Sequence, residues 1–282
     1  MTTMTGTRAD SLPALDSEYP LAPEQIANYQ QNGHILLRAV VRSDELTPYR
    51  AAIINRVQQH SANARPLAER DTYGKAFLQV MNLWCEDEAV RQFVLARRMA
   101  KIAADLMGVD GVRIYHDQAL FKEARGGFTP WHQDQQYWPL DGVKCVTLWM
   151  PLVDADTAMG TMRFASGSQA LGYLGPMPIS DNSEEQLRLL VAEKGFPITE
   201  AGAMQAGDAT FHDGWTLHGA PGNTSASTTR EVMTIIYLED GARITEPDSD
   251  SRRSDMAGCF PGLKPGDLAA SEINPLVYSR GK

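Results

Sequence analysis

The sequence has few cysteines and no long apolar run. Its three cysteines, Cys85, Cys145 and Cys259, are far apart and odd in number, which argues against a disulfide framework and fits a reducing compartment. No apolar stretch is long enough to cross a bilayer, and the first residues lack the apolar segment of a signal peptide. We therefore expect a cytoplasmic protein that does not bind a membrane.

Positive charge is also scarce. The chain has 282 residues, with 26 Lys and Arg against 35 Asp and Glu, so its formal net charge is -9 at pH 7. A basic surface for nucleic acid is therefore not expected, and a small-molecule ligand is favoured. Hydrophobic residues make up 43% of the chain, enough for a sizeable core, and there is no repeat or low-complexity segment. The sequence leaves a homodimer open.

The chain divides into a short tail and a long folded part. Residues 1–20 are polar and small and are expected to form a flexible tail, followed by a single domain over residues 21–282. Helical periodicity covers Glu86 to Met107, and Asp181 to Lys194 is expected to be helical. The charged segment Glu246 to Arg253 is expected to be an exposed loop. Short runs rich in β-branched and aromatic residues, typical of a sandwich or jelly roll, are 112–122, 144–153, 161–165, 209–212 and 230–238.

One histidine and one carboxylate stand two positions apart in the β-rich half. On a strand, the side chains of His132 and Asp134 would leave the same face, as two neighbouring metal ligands would. His218, from a later β-run, is the candidate for a third ligand, which would complete the 2-His-1-carboxylate triad of non-haem Fe(II) oxygenases. His212 competes for this role. Because Gly214 interrupts its strand, we favour His218 and interpret His212 as a core histidine or one beside the ligands.

Arg230 opens the last long β-run. An arginine that points into an apolar barrel needs an anion, because an unpaired buried charge is strongly destabilising. A guanidinium binds a carboxylate through two hydrogen bonds, so a dicarboxylate co-substrate would supply that anion. The alternative is a salt bridge to an acidic residue of the protein itself.

Short motifs around these residues complete the pattern. They are His116-Asp117-Gln118-Ala119-Leu120-Phe121-Lys122, Trp131-His132-Gln133-Asp134, Gly160-Thr161-Met162-Arg163-Phe164, Ser166-Gly167-Ser168, Gly207-Asp208, His218-Gly219, Asn223-Thr224-Ser225 and Arg230. Together they resemble the phytanoyl-CoA dioxygenase family, whose members are typically Fe(II)- and 2-oxoglutarate-dependent oxygenases. The resemblance runs from about Leu21 to Tyr278. It implies a mainly β fold with flanking helices, namely a double-stranded β-helix (a cupin-like jelly roll).

The resemblance also implies the cofactors and their ligands. Fe(II) would be bound by His132, Asp134 and His218, and the co-substrates would be 2-oxoglutarate and O2. Arg230 would bind the distal carboxylate of 2-oxoglutarate, and Gln118 and Trp149 would line its site. Some members have a serine two positions after the distal histidine; this chain has Ala220, and Thr147 is the hydroxyl that could substitute.

The implied reaction is hydroxylation of an unactivated C–H bond of a small organic metabolite, with release of succinate and CO2. Because Asp134 is present, hydroxylation, desaturation or cyclisation is favoured over halogenation. Gln79, Tyr137 and Trp138 are the candidate substrate residues. No basic cluster for a CoA phosphate is evident, so an acyl-CoA substrate is not favoured.

Two rival functions remain open from the sequence. A cupin-like isomerase or metal hydrolase on the same barrel would not need Arg230 to bind an anion. A non-catalytic relative would bind 2-oxoglutarate without consuming it.

Overall fold

Two antiparallel β-sheets form the centre of the protein in a computed structural model that describes residues 12–281. The strands are β1 His34–Leu37, β2 Leu78–Met81, β3 Gly111–Phe121, β4 Thr129–His132, β5 Cys145–Pro151, β6 Arg163–Ala165, β7 Ile198–Glu200, β8 Ala209–Asp213, β9 His218–Ala220, β10 Val232–Glu239 and β11 Leu276–Ser279. The helices are α1 Pro23–Asn32, α2 Ser43–Ser61, α3 Thr72–Ala76, α4 Glu88–Val94, α5 Arg97–Met107, α6 Asp181–Lys194 and α7 Asp250–Cys259. This is the predicted mainly β class with flanking helices.

The larger sheet has the order β1-β8-β5-β10-β3-β11, with β2 also paired to β3, and the smaller has the order β4-β9-β6-β7. Neighbours in each sheet are distant in sequence, as the predicted jelly roll requires. The sheets pack face to face: the imidazole of His34 on β1 stacks on the ring of Phe164 on β6, with centroids 4.4 Å apart. A cavity opens between the two sheets.

Helices cover the outer face of the larger sheet. The main apolar core lies there and includes Phe93 of α4, Leu106 of α5 and Ile235 of β10. The predicted helix Glu86 to Met107 is interrupted, because Ala96 has an extended backbone and separates α4 from α5. The break frees the backbone N–H of Arg98 to bind the carbonyl of residue 15 at 3.0 Å.

The predicted flexible tail differs in its second half from what the structure shows. Residues 1–11 lie outside the described residues. Leu15, however, is buried in the main core, and Arg98 donates from Nε to the carbonyl of Ser17 at 3.0 Å. Apolar burial and these hydrogen bonds therefore fix this part of the chain against α5.

The segment predicted as an exposed loop, Glu246 to Arg253, is also different, since helix α7 begins at Asp250. Ser249 caps α7 by accepting a hydrogen bond from the backbone N–H of Arg252. The guanidinium of Arg252 is buried, with Asp141 oxygens 2.9 Å away and the Tyr173 ring stacked at 4.2 Å. Long-range partners therefore bury Arg252, while the rest of the segment stays exposed or half-buried, as its composition predicts. Within residues 12–281 no helix is long and apolar enough to cross a membrane.

Candidate metal centre and adjoining cavity

Three potential metal ligands meet at the smaller sheet. His132, at the end of β4, pairs directly with His218, at the start of β9. The Nε2 atoms of both imidazoles lie 3.5 Å from the same oxygen, Oδ1 of Asp134. One donor atom from each of the three residues therefore lies within 4.8 Å of the other two donors.

The local backbone explains how Asp134 reaches this point. The prediction placed His132 and Asp134 on one strand, but β4 ends at His132 and Asp134 has a helical backbone conformation. A short 3-10 turn over residues 135–137 follows it. The turn, and not strand alternation, therefore brings the carboxylate beside the two imidazoles.

Hydrogen bonds fix the orientation of both imidazoles. Nδ1 of His132 lies 2.8 Å from the carbonyl of Pro130, and Nδ1 of His218 lies 2.9 Å from the carbonyl of Thr216. Each Nδ1 therefore carries the proton and donates it, which leaves Nε2 as a free lone pair. This arrangement of a carbonyl behind the ligating imidazole is usual in protein metal sites.

The carboxylate is held from its other side. Oδ2 of Asp134 accepts a hydrogen bond from the Thr147 hydroxyl at 2.7 Å and lies 3.2 Å from Nε2 of His212. Thr147 thus contacts the candidate metal ligand, whereas the sequence placed it at the 2-oxoglutarate carboxylate. His212 lies beside the three ligands and contacts Asp134 on the oxygen that faces away from the two histidines.

Electrostatics give these groups the protonation states that a metal requires. Burial lowers the pKa of His218 well below its usual value, and the adjacent His132 adds to the shift. Burial acts to raise the pKa of Asp134, but His218, His132 and His212 outweigh it and hold that pKa well below its usual range. At neutral pH the site therefore offers a neutral imidazole and an ionised carboxylate, the forms that bind metal ions.

Two basic side chains are buried side by side, and one of them, Arg230, lines another wall of the same cavity. Arg230 is 1% exposed, stacks over the Trp149 ring at 5.1 Å and donates from Nη1 to the carbonyl of Gly160. Its Nε has no hydrogen-bond partner among residues 12–281. Lys122, the residue after β3, is fully buried and donates from Nζ at 3.2 Å to Oγ1 of Thr129, which lines the cavity. The backbones of Lys122 and Arg230 are paired.

Neither cation forms an ion pair within the described part of the chain. Burial lowers the pKa of Arg230 to about 9. Burial and then the nearby Arg230 lower the pKa of Lys122 to about 6. The alternative of an internal salt bridge to Arg230 therefore finds no partner, and an external anion is what this wall requires.

Gly160 matters for the position of Arg230. Its φ is +75°, and a Cβ there would lie 2.2 Å from the carbonyl oxygen of Pro221. Only glycine fits, and its carbonyl faces the guanidinium.

The cavity has a volume of about 260 Å³. The structure brings every site residue predicted from the sequence to its wall: His132, Asp134, His218, Arg230, Gln118, Trp149, Thr147, Gln79, Tyr137 and Trp138. Gln79 and Gln118 are hydrogen-bonded to each other at 3.0 Å, and the Tyr73 hydroxyl donates to Gln79 at 2.5 Å.

Sequence reasoning missed several residues. Lys122 was part of a quoted motif without a role, although a lysine at the end of a predicted β-run is a detectable signal. His116, which stands in a quoted motif, and Asp255 also line the cavity; no local pattern indicated Asp255, which lies on α7 just after the segment predicted as an exposed loop.

Donor chemistry decides whether a metal fits. Two nitrogens and one oxygen, grouped on one side, match the facial set of non-haem iron sites. The unpartnered Nε of Arg230 in the same cavity matches a carboxylate ligand. The residues present therefore fit both an iron ion and a dicarboxylate.

Comparisons with known proteins agree with this chemistry. The family model described as phytanoyl-CoA dioxygenase matches residues 29–232. An ectoine dioxygenase of Stutzerimonas stutzeri (strain A1501) is 24% identical over 246 residues, which cover 79% of each chain. The crystal structure of SnoK, a non-haem α-ketoglutarate-dependent carbocyclase from nogalamycin biosynthesis, has a TM-score of 0.72 and 24% identity, covering 96% of this chain and 98% of its own.

A second solved structure has a similar fold and contains both cofactors. The epimerase SnoN, in complex with Fe3+, α-ketoglutarate and nogalamycin RO, has a TM-score of 0.73 and 22% identity, and the match covers 90% of this chain and 97% of that one. These solved structures establish the jelly-roll fold. Because the family model matches more than half of the sequence, this chain belongs to the phytanoyl-CoA dioxygenase family, a family of Fe- and 2-oxoglutarate-dependent oxygenases.

Proposed function

We propose that this chain hydroxylates an unactivated C–H bond of a small organic metabolite, with Fe(II), 2-oxoglutarate and O2 as cofactor and co-substrates. One observation carries the proposal. A single cavity contains both a donor set for iron and a buried arginine without an anionic partner in residues 12–281. An isomerase or hydrolase on the same barrel would have no use for the second feature.

Separate side chains would bind the iron and fix the orientation of its ligands. His132, Asp134 and His218 would hold the iron, with Thr147 and His212 fixing Asp134. Bound iron with 2-oxoglutarate supplies the oxidising power for C–H cleavage. Because both imidazoles keep their Nδ1 protons on backbone carbonyls, the ligand atoms need no proton transfer before they bind.

Another wall binds the co-substrate. Arg230 would bind the distal carboxylate of 2-oxoglutarate, with its guanidinium carbon 5.1 Å from the centre of the Trp149 ring. Lys122 lies behind the cavity-lining Thr129 and would add a second positive charge near the same anion. Gln118, hydrogen-bonded to Gln79, presents an amide toward the remainder of the cavity.

The proposed reaction balances as follows. Substrate R–H, 2-oxoglutarate and O2 give R–OH, succinate and CO2, with one oxygen atom of O2 in the alcohol and the other in succinate. The apolar and aromatic side chains of Phe77, Trp138 and Ile179 line the cavity and exclude water from the reacting groups. We propose Gln79, Tyr137 and Trp138 as substrate contacts.

The proposal extends to organisation and location. Residues 21–282 would act as one domain, since β1 and β11 belong to the same sheet and Val40 and Tyr278 to the same core. The free thiols of the buried Cys145 and Cys259 support a cytoplasmic location.

Succinate formation tests the proposed function. Purified protein with Fe(II), 2-oxoglutarate and O2 should form succinate, and a panel of small metabolites should contain compounds that stimulate it. Asp134→Ala should abolish turnover, whereas Asp110→Ala, which changes a carboxylate that is 95% exposed, should not. Full activity of the Asp134→Ala variant would show that the ligand set is wrong.

Isotope labelling then separates the reaction types. With 18O-labelled O2, hydroxylation places one labelled atom in the product and one in succinate. A product that is lighter by two hydrogens and carries no label would identify desaturation or cyclisation, and binding of 2-oxoglutarate without any succinate would identify a non-catalytic relative.

A further inference from the structure

Three charged side chains line the cavity, and the proposed function uses two of them. Asp134 is assigned to the metal and Arg230 to 2-oxoglutarate. The third is Asp255, on the inner face of α7. Because Asp255 lies on a different element from the residues of either cofactor site, it is free to contact the substrate.

The contacts of Asp255 are few and neutral. Its Oδ2 accepts a hydrogen bond from the Tyr115 hydroxyl, and Cys259 Sγ lies 3.9 Å from Oδ1. No lysine or arginine among residues 12–281 forms an ion pair with it. The arginine on the same helix, Arg252, is occupied by Asp141.

The neighbouring titratable groups do not supply the missing charge. They are Tyr115 and His116 from β3 and Cys259 from α7. Burial lowers the pKa of His116 to about 4, so its imidazole is neutral at pH 7. Burial raises the pKa of Asp255 to about 7, as expected for a carboxyl group without a counter-charge.

The other polar groups on this wall already bind one another. Gln79 donates to Gln118 at 3.0 Å, and the Gln118 amide lies 3.4 Å from Nδ1 of His116. Both glutamines thus have hydrogen-bond partners within the wall, whereas Asp255 has none of opposite charge.

We propose that Asp255 is a specificity-determining residue that binds a protonated amino group of the substrate. The inference rests on the proposed function and narrows its substrate to small organic amines. The apolar surface of the cavity would accept the carbon skeleton, and the carboxylate on α7 would hold the nitrogen. A metal ion between His116, Asp255 and Cys259, whose donor atoms lie within 4.8 Å of one another, is the competing occupant.

A matched pair of probes tests the proposal. Benzylamine and benzyl alcohol have the same size and differ in charge. Titration calorimetry would use the protein loaded with Zn(II), a redox-inactive ion, and 2-oxoglutarate. Benzylamine should bind at least about tenfold more tightly than benzyl alcohol, as a charge-assisted hydrogen bond provides.

Variants assign the preference to one side chain. Asp255→Asn should reduce the affinity ratio to about one. Asp250→Asn changes a fully exposed carboxylate on the same helix and should keep the ratio. Cys259→Ser should also keep it, because an amine does not need the thiol. Equal binding of both probes by the wild type, or an unchanged ratio in Asp255→Asn, would overturn the proposal, and loss of the ratio in Cys259→Ser would indicate the metal ion instead.

A second measurement requires no variant. Benzylamine affinity should rise as the pH increases through about 7, because Asp255 must lose its proton, while benzyl alcohol affinity should stay level. A level profile for benzylamine would contradict the role of Asp255, even if Asp255→Asn did not fold. Since calorimetry needs no turnover, failure of the oxygenase reaction would leave both readings intact.

Discussion

Replacing Arg230 by leucine should make the ligand-free protein more stable and its binding of 2-oxoglutarate much weaker. Stability and 2-oxoglutarate affinity change in opposite directions because of the surroundings of this side chain. Arg230 is buried, and no carboxylate of residues 12–281 compensates it. Without ligand, the buried charge of Arg230 lowers the free energy of unfolding. With ligand, the same charge is the main attraction for the anion.

The size of the effect follows from the shifted pKa. Burial lowers the pKa of Arg230 from 12.5 to about 9, which corresponds to about 5 kcal/mol of unfavourable charging. Leucine also loses the hydrogen bond to Gly160 and the stacking on Trp149, together about 2–4 kcal/mol. We therefore expect the ligand-free variant to be more stable by about 1–3 kcal/mol, while 2-oxoglutarate binding loses about 2–5 kcal/mol, or about 30- to 5000-fold.

Urea unfolding without ligand and titration calorimetry with 2-oxoglutarate on Zn(II)-loaded protein measure the two quantities. Arg98→Leu is the matched control, because Arg98 is also buried, with 7% exposure, but pairs with Glu45 at 2.8 and 2.9 Å. Removing it leaves Glu45 uncompensated and should destabilise the fold by about 3–5 kcal/mol. The reasoning fails if Arg230→Leu destabilises as much as Arg98→Leu, or if 2-oxoglutarate affinity is unchanged.

Two further predictions concern the neighbours of the cofactors. Lys122 has a pKa lowered to about 6, so it is neutral at pH 7.5. Because a bound anion favours its charged form, binding of 2-oxoglutarate should take up a proton. The affinity for 2-oxoglutarate should therefore fall by up to about tenfold per pH unit above 6. Lys122→Met should remove this slope, which calorimetry in two buffers of different ionisation enthalpy would detect; an unchanged slope would exclude Lys122. Thr147→Val should lower metal affinity by about 10- to 100-fold, because it removes the hydrogen bond to Asp134, with 2-oxoglutarate affinity unchanged at saturating metal. A selective loss of 2-oxoglutarate affinity would instead support the role predicted from the sequence.

Much of the fold could be predicted from local pattern, because local chemistry decides it. Helix α6 has the predicted bounds, Asp181–Lys194, since Ser180 caps its start and Gly195 ends it in a left-handed conformation. The alternating strands of the β-rich half also appear where β-branched residues and turn residues predict them. Elements of this kind carry their own start and stop signals.

The misses have a common cause in contacts between distant residues. The charge of Arg252 led to the prediction that its segment is exposed to solvent. In the structure, Arg252 is paired with Asp141, which is more than a hundred positions away in the sequence. The long helix was predicted as continuous because helical periodicity carries no sign of the extended backbone at Ala96 or of the contact between Arg98 and residue 15. In the candidate site, His132 and Asp134 do lie close together as predicted. The expected strand does not cause this, because a turn brings Asp134 beside His132.

The layout of charge in the cavity separates cofactor use from substrate choice. Arg230 lies two positions before β10 and is proposed to bind the anionic co-substrate; Asp255 lies on α7 and is proposed to bind a cationic substrate. Each unpaired charge costs stability in the free protein and is compensated only when its own ligand binds. Since no side chain serves both ligands, changes confined to α7 can alter the substrate while 2-oxoglutarate binding is preserved. If Asp255 binds a substrate amine as proposed, one amine can be exchanged for another without rebuilding the strands and the turn that bear His132, His218 and Asp134.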